Sequence, residues 1–255
     1  MRQDTVSIDR FYHSSLGQAA GKLLAGRITD LWPDTERLSM LGIGFPMPVL
    51  DEMAGAGRRC VAAIPDGSGH FRWDATGRGN ATVIAPQDRL PFADGQFDRV
   101  ILLHGLEEAD SPRTLRREIW RVMAPEGRIV VATANRRGIW ALAERTPFGH
   151  GRPWTRRQLV GFLSDGSFQV TASTHALFLP PINQALVTAA ADGWERIGEW
   201  VAPALGGVVL VEAVKRLYIE PGGAVAPAIN ALPARKGAAI LPIDQAARAS
   251  KSDRR

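Results

Sequence analysis

Residues 88–104 constrain the fold more than any other part of the chain: Asp88-Arg89-Leu90-Pro91-Phe92-Ala93-Asp94-Gly95-Gln96-Phe97-Asp98-Arg99-Val100-Ile101-Leu102-Leu103-His104. A turn carrying an Asp-Gly pair leads into the unbroken apolar run Val100-Ile101-Leu102-Leu103. A strand with one wet face would alternate apolar and polar residues. This run is apolar on both faces, which suits the middle of a parallel sheet covered by helices on either side. Such a sheet requires strands and helices to alternate along the chain.

They do. Leu16, Ala20, Leu23, Leu24, Ile28, Leu31 and Trp32 recur at helical spacing, so residues 8–32 read as one helix stopped by Pro33. Residues 37–41 form a first strand, ending in the turn Gly42-Ile43-Gly44, and a short helix begins near Pro48. Residues 59–64 and 80–85 are the second and third strands, and 97–103 the fourth. Ser111-Pro112 opens a helix to Val122, and Glu126-Gly127 turns into a fifth strand over 128–132. Thr155-Arg156-Arg157-Gln158 has the form of a capping box, in which two side chains satisfy the first amides of a helix. Strands over 168–178 and 207–215 close the series, with a helix around 183–197 between them. The expected fold is a doubly wound, Rossmann-like α/β domain over residues 35–218, with about seven mostly parallel strands and helices on both faces. A helical segment, 1–34, precedes it. A basic tail, 219–255, follows; rich in Ala, Pro and Gly without sustained period, it reads as disordered.

Composition narrows the function classes. The single cysteine, Cys60, excludes a disulfide framework or a cysteine-based zinc cluster, and its apolar neighbours make it a small buried hydrophobe. The five histidines are scattered, so no metal-ligand spacing arises. No run approaches the ~20 apolar residues of a membrane span, and Met1-Arg2-Gln3-Asp4 does not open a signal peptide. A cytoplasmic protein without a membrane partner is expected. The net charge is +5, but only four of the 31 basic residues are lysine and the arginines are spread out, which argues against a dedicated nucleic-acid face.

A glycine turn after a buried first strand lets a nucleotide-like ligand approach the backbone. Together, Leu41-Gly42-Ile43-Gly44, the passage Leu90-Pro91-Phe92…Phe97-Asp98, and Leu115-Arg116-Arg117-Glu118…Arg121-Val122-Met123-Ala124-Pro125-Glu126-Gly127-Arg128 resemble the class I S-adenosylmethionine-dependent methyltransferases of the type 11 group. The resemblance covers residues 35–215. More narrowly, Phe11-Tyr12, Asn135-Arg136-Arg137-Gly138 and Pro147-Phe148-Gly149-His150-Gly151-Arg152-Pro153 resemble a bacterial, alphaproteobacterial subgroup.

The resemblance implies S-adenosylmethionine as cofactor. Gly42 and Gly44 would lie against its methionine part, and Asp88 and Leu90 on the adenine side. His104 and Glu107 would follow the fourth strand near the reacting methyl, with Glu107 suited to the cofactor's ammonium. Three positions depart from the family: Met40 and Pro46 replace an acidic residue and a third glycine, and Pro65 stands where an acid would hold the ribose, with Asp66 one step late.

His104 is the candidate base, its ordinary pKa lying near ~6.5. His150 is a second candidate, on a loop too rich in Gly, His, Arg and Trp to be explained by packing alone. Asn135, Arg136 and Arg152 are candidates for acceptor binding, and with Arg137, Arg156 and Arg157 they would suit an acidic small molecule or protein, because guanidinium pairs with carboxylate in a bidentate way. The leading expectation is methyl transfer to an unidentified acceptor. The alternative is an inactive member of the same fold, acting as a binding partner or scaffold. An RNA methyltransferase lacks the aromatic and basic clustering such a role needs. Methyl transfer predicts an open cavity with His104 and His150 on one wall; the inactive alternative predicts a cavity closed by Phe45 or Met47.

Overall fold

The computed structural model describes residues 3–35, 37–53, 59–74 and 79–217, and the expected tail over 219–255 lies outside them. Two helices come first, α1 (Thr5–Tyr12) and α2 (Ser15–Leu31). Strands and helices then alternate as β1 (Ser39–Gly44), α3 (Met47–Met53), β2 (Arg59–Pro65), β3 (Thr82–Ala85), β4 (Phe97–Leu103), α4 (Pro112–Val122) and β5 (Met123–Ala134). The last elements are α5 (Arg156–Ser164), β6 (Phe168–Ala176), α6 (Ala185–Ala189), α7 (Ala191–Val201) and β7 (Val208–Lys215).

The strands form one seven-stranded sheet in the order β3-β2-β1-β4-β5-β7-β6. Neighbouring strands from β3 to β5 pair in parallel, and β7 lies antiparallel between β5 and β6. The chain reverses between β1 and β4, which opens a crevice at the carboxyl ends of the strands. The sheet feeds two cores. Met40, Ile101, Leu103 and Val130 point into the one covered by α1, α2 and α3. Leu41, Ile43, Val100, Leu102 and Val131 point into the one covered by α4 and α5. The two-faced apolar character of β4 thus has the cause its sequence implies.

The expected single helix over 8–32 is two helices. Ser14 breaks it: its hydroxyl accepts from the Gly17 amide at 3.1 Å and donates to the Phe11 carbonyl at 2.6 Å. The corner is so tight that a Cβ on Gly17 would lie 2.0 Å from that carbonyl. Both helices face the same core, so the apolar period runs through the break. The expected helix over 183–197 is likewise divided, into α6 and α7. The third strand starts only at Thr82, because Asn80 Oδ1 accepts from the Trp73 and Thr82 amides and holds a turn. The fifth is longer than expected: Met123 already pairs with Phe97, ahead of a kink at Glu126 with φ 60°.

On β7, away from the crevice, the carboxylate of Glu212 gathers three donors. Trp32 Nε1 and Arg128 Nη1 reach Oε1 at 2.8 and 2.9 Å, and Thr171 Oγ1 reaches Oε2 at 2.6 Å. This buried cluster fastens the end of α2 to the sheet.

Candidate functional site

The crevice begins at Gly44, the last residue of β1. Its φ is +90°, and a Cβ there would stand 2.2 Å from the Leu103 carbonyl oxygen of β4. The same oxygen accepts from the Phe45 amide at 2.8 Å, so only glycine lets β1 and β4 close on each other here. Gly42 serves the backbone in another way: the ring of Pro46 lies over it, 2.3 Å from where a Cβ would be.

Beside Gly44 lies a cleft of about 300 Å³, counted out to its open mouth. Gly44, Pro65, Gln87, His104 and Gly105 form its floor, and Ser68 flanks it. Gln87 Nε2 donates to the Gly105 carbonyl at 2.8 Å, while its buried Oε1 has no partner. The buried hydroxyl of Thr5, across the cleft, also has none. Buried polar atoms left unpaired cost about 1–3 kcal/mol each, so these two are suited to a polar ligand.

The roof comes from the N-terminal segment. Gln3, Thr5 and Ile8 line the cleft. The Thr5 amide donates to the Ser68 carbonyl at 2.7 Å, and the Gln3 amide to Glu108 Oε2 at 2.8 Å. Tyr12 stacks on Phe45 with ring centroids 6.1 Å apart, and its hydroxyl lies 2.7 Å from His104 Nε2. With this segment seated, the inner end of the cleft has room for about one water molecule.

His104 follows β4 with φ 52° and packs 4.6 Å from the ring of Phe148. Burial pushes its pKa down to about 3, so the imidazole is neutral at pH 7. Burial, and then Glu107, push the Tyr12 phenol well up and keep it protonated. Glu107 is itself buried, with its pKa raised by burial; its Oε1 accepts from the Ala134 amide at 3.0 Å.

The depressed His104 makes a stability prediction. Unfolded, this histidine takes up a proton near 6.5; folded, it does so only near about 3. Below pH ~6.5 the unfolded state therefore binds the extra proton, and stability falls as the pH drops towards 3, by up to ~1.4 kcal/mol per pH unit. Above that window His104 contributes no slope. Urea titrations of the native chain and His104→Gln across this range should show the slope reduced in the variant, other titrating groups cancelling in the difference. Identical slopes would mean that His104 is hydrated in the folded state.

The sequence candidates are placed unequally. Gly44 and His104 line the cleft. Asp88 is exposed on the loop next to Gln87, and Leu90 is buried in the core shared with α4. Glu107 lies beneath the cleft, holding the end of β5. His150 does not share the wall with His104: it is exposed, with Nε2 2.8 Å from the Glu144 carbonyl of its own loop. Asn135 is buried and organises that loop, its Nδ2 donating to the carbonyls of Ala204 and Gly206. Arg136 reaches the Pro153 carbonyl, and Arg152 is exposed with its amide on the Glu107 carbonyl. The arginines therefore do not converge on the cleft. The open cavity expected from methyl transfer is not what is seen: Phe45 is buried under Tyr12, and α1 roofs the space.

Sequence reasoning missed Gln87, Ser68, Thr5 and Tyr12. Gln87 had a signal, since it directly precedes Asp88 in the loop singled out. Tyr12 had one too, in the Phe11-Tyr12 pair, but Thr5 had none, because nothing local shows that an N-terminal helix folds back over a sheet edge.

Comparison with known proteins supplies the context. The profile of a methyltransferase domain family matches residues 49–131. A demethylmenaquinone methyltransferase of Mycolicibacterium vanbaalenii is 41% identical over 123 residues, covering 48% of this chain and 48% of the relative. The chain thus spans about half the length of the curated relatives it matches. Both relatives are mycobacterial, and the alphaproteobacterial subgroup expected from the loop motifs finds no support in them. Among solved structures, a SAM-dependent methyltransferase of Thermotoga maritima, a possible histamine N-methyltransferase, superposes with a TM-score of 0.59 at 14% identity, covering 82% of this chain and 94% of that one. A 4+2 cyclase, SpnF, superposes with a TM-score of 0.55 at 19% identity, covering 79% of this chain and 83% of that one. The last case shows that this fold alone does not decide the chemistry. The chain has the class I methyltransferase fold, and its residues 49–131 match the methyltransferase domain family.

Proposed function

We propose that the chain is an S-adenosylmethionine-dependent methyltransferase whose cofactor cleft is roofed by α1 in the state described. The observation that carries this reading is the cleft itself: a glycine-closed strand end at the reversal of the sheet, lined by the unpartnered Gln87 Oε1. Bound there, the cofactor would supply an electrophilic methyl group on sulfur. Gly44 would permit close approach of the backbone, and Gln87 and Ser68 would meet the nucleoside. The residues fit the cofactor, and α1 would have to lift to admit it.

Lifting α1 also changes His104. Tyr12 leaves with the helix, water reaches the imidazole, and its pKa returns towards the ordinary range where it can accept a proton near neutrality. The acceptor we favour is a planar, largely apolar ring of the kind named for the mycobacterial relative. Phe45, Phe71 and Phe148, which stay in place when α1 lifts, lie beside the cleft, and no arginine among the described residues lines it.

Calorimetry with S-adenosylmethionine and its demethylated product tests the reading. The native chain should bind both. Tyr12→Phe, which removes the bond to His104 but keeps the ring stack, should bind roughly fivefold tighter, the equivalent of one hydrogen bond of ~1 kcal/mol. Absence of binding by both proteins at millimolar ligand would refute the enzyme reading and leave the inactive scaffold.

A further inference from the structure

Among the described residues, seven of the eleven exposed large apolar side chains lie on two abutting turns and on α7, while Val6, Ile84, Ile182 and Leu217 lie on other segments. Trp200 is 86% exposed, Leu142 83%, Val201 64%, Leu205 55% and Ile139 53%. Ile139 and Leu142 lie on a 3-10 turn, Ile139–Leu142, in the loop after β5. Leu205 ends a second such turn, Pro203–Leu205, which follows α7. The two abut: Asn135 Nδ2 bonds the Ala204 and Gly206 carbonyls, and a Cβ on Gly138 would touch the Gly206 carbonyl. On α7, the residues turned inward are Glu195 and Gly198, the latter against Phe178, while Trp194, Ile197, Trp200 and Val201 face outward. The helix thus directs its apolar stripe away from the core.

Charge indicates what covers this surface. Between Arg136 and Arg157 the chain carries six arginines and a single acid, Glu144. Arg136, Arg137, Arg145 and Arg152 are exposed, on either side of the Ile139–Leu142 turn. The exposed acids of α7 are Asp192, in its first turn, and Glu199, which is paired with Arg27 at 2.8 Å. An apolar tip flanked by arginines, beside exposed tryptophans, combines the elements that bind lipid interfaces: rings and aliphatic tips in the acyl boundary, guanidinium groups on the phosphates. A second copy of the chain would bring the six arginines against one another.

We infer that the surface formed by the Ile139–Leu142 turn, the Pro203–Leu205 turn and the outer face of α7 docks on an anionic membrane. No helix among the described residues is long and apolar enough to cross a membrane, and docking of this kind needs none. The sequence expectation of no membrane partner rested on the absence of a span, which is a separate matter. The surface lies at the carboxyl edge of the sheet, where β5 enters its loop, so docking would turn the cleft's edge towards the bilayer. The inference does not depend on the methyl-transfer reading.

Sedimentation of the full chain with vesicles tests it, phosphatidylcholine alone against phosphatidylcholine with phosphatidylglycerol, at low and high salt. Binding should require the anionic lipid and weaken with salt. Arg136→Ser and Arg137→Ser should each lower the partition coefficient roughly fivefold. Leu142→Ser combined with Trp200→Ser should lower it by more than about tenfold. These side chains are exposed, so melting curves should match the native protein. Failure of the native chain to bind anionic vesicles at low salt would overturn the inference. So would a dimer at the same concentration that Leu142→Ser and Trp200→Ser dissociate, since the patch would then be a subunit interface. Cofactor calorimetry on the same variants should be unchanged, which keeps this result separate from the enzymatic one.

Discussion

Gly44→Val should lower the melting temperature by about 10 °C. The left-handed conformation costs a branched residue roughly 1–2 kcal/mol, and forcing atoms against packed backbone costs about 1–3 kcal/mol more. A Cβ at this position would stand 2.2 Å from the Leu103 carbonyl oxygen and 2.8 Å from the Gly105 amide nitrogen; neither can move aside as a flexible side chain would. For a domain of this size each kcal/mol is worth ~2–4 °C. A calorimetric melt checks it, and a shift under about 2 °C would mean that β1 and β4 are not closed in this way. From sequence, the glycine would be needed by the ligand, so that valine should abolish binding and spare the fold. The structure makes it a requirement of the sheet first, and loss of binding in this variant would not by itself locate the ligand.

Trp140→Ala should be comparably severe. The side chain is fully buried, edge-on to Phe148 at 5.4 Å and to Phe11 at 6.4 Å, with Nε1 donating to the Leu179 carbonyl at 2.8 Å. Truncating a buried tryptophan to alanine costs about 3–5 kcal/mol, or a melting shift of ~10 °C or more. Trp140→Phe should recover most of that, losing chiefly the indole hydrogen bond. Because Trp140 pins the loop after β5 to the 203–207 segment, the alanine variant should also be cleaved faster in that loop by limited proteolysis. Equal cleavage and an unshifted melt would show that the loop is held by its backbone bonds alone.

The sheet was legible where the physics is local. Val100, Ile101, Leu102 and Leu103 announce a strand buried on both sides, and the Thr155–Gln158 capping box is present as read. What escaped was tertiary. The break at Ser14 is hidden because both helices bury the same apolar stripe. Gly42 and Gly44 look alike in sequence, yet one makes room for Pro46 and the other for β4. His150 sits in a suggestive loop, but the ring turns back to its own Glu144 carbonyl. Gln87 reaches the cleft while its more conspicuous neighbour Asp88 faces solvent, a distinction set by how the loop after β3 closes on Gly105.

The corner between α1 and α2 has a consequence for how strongly any ligand can bind. Glu212 holds the far end of α2 through Trp32, so the roof can move as α1 alone, turning about His13 and Ser14. The bonds that seat it are few: Thr5 to Ser68, Gln3 to Glu108, and Tyr12 to His104. At ~1 kcal/mol apiece these bonds alone would favour the closed state by about 3 kcal/mol, and the burial of Ile8 and Tyr12 adds to that, so fewer than about one molecule in a hundred would be receptive at any moment. The dissociation constant of a ligand in the cleft would then be the intrinsic one divided by that fraction, at least about a hundredfold weaker than the cleft itself would give. Whatever relieves those three bonds, whether a second ligand or a surface that draws α1 aside, would act as an activator without touching the chemistry.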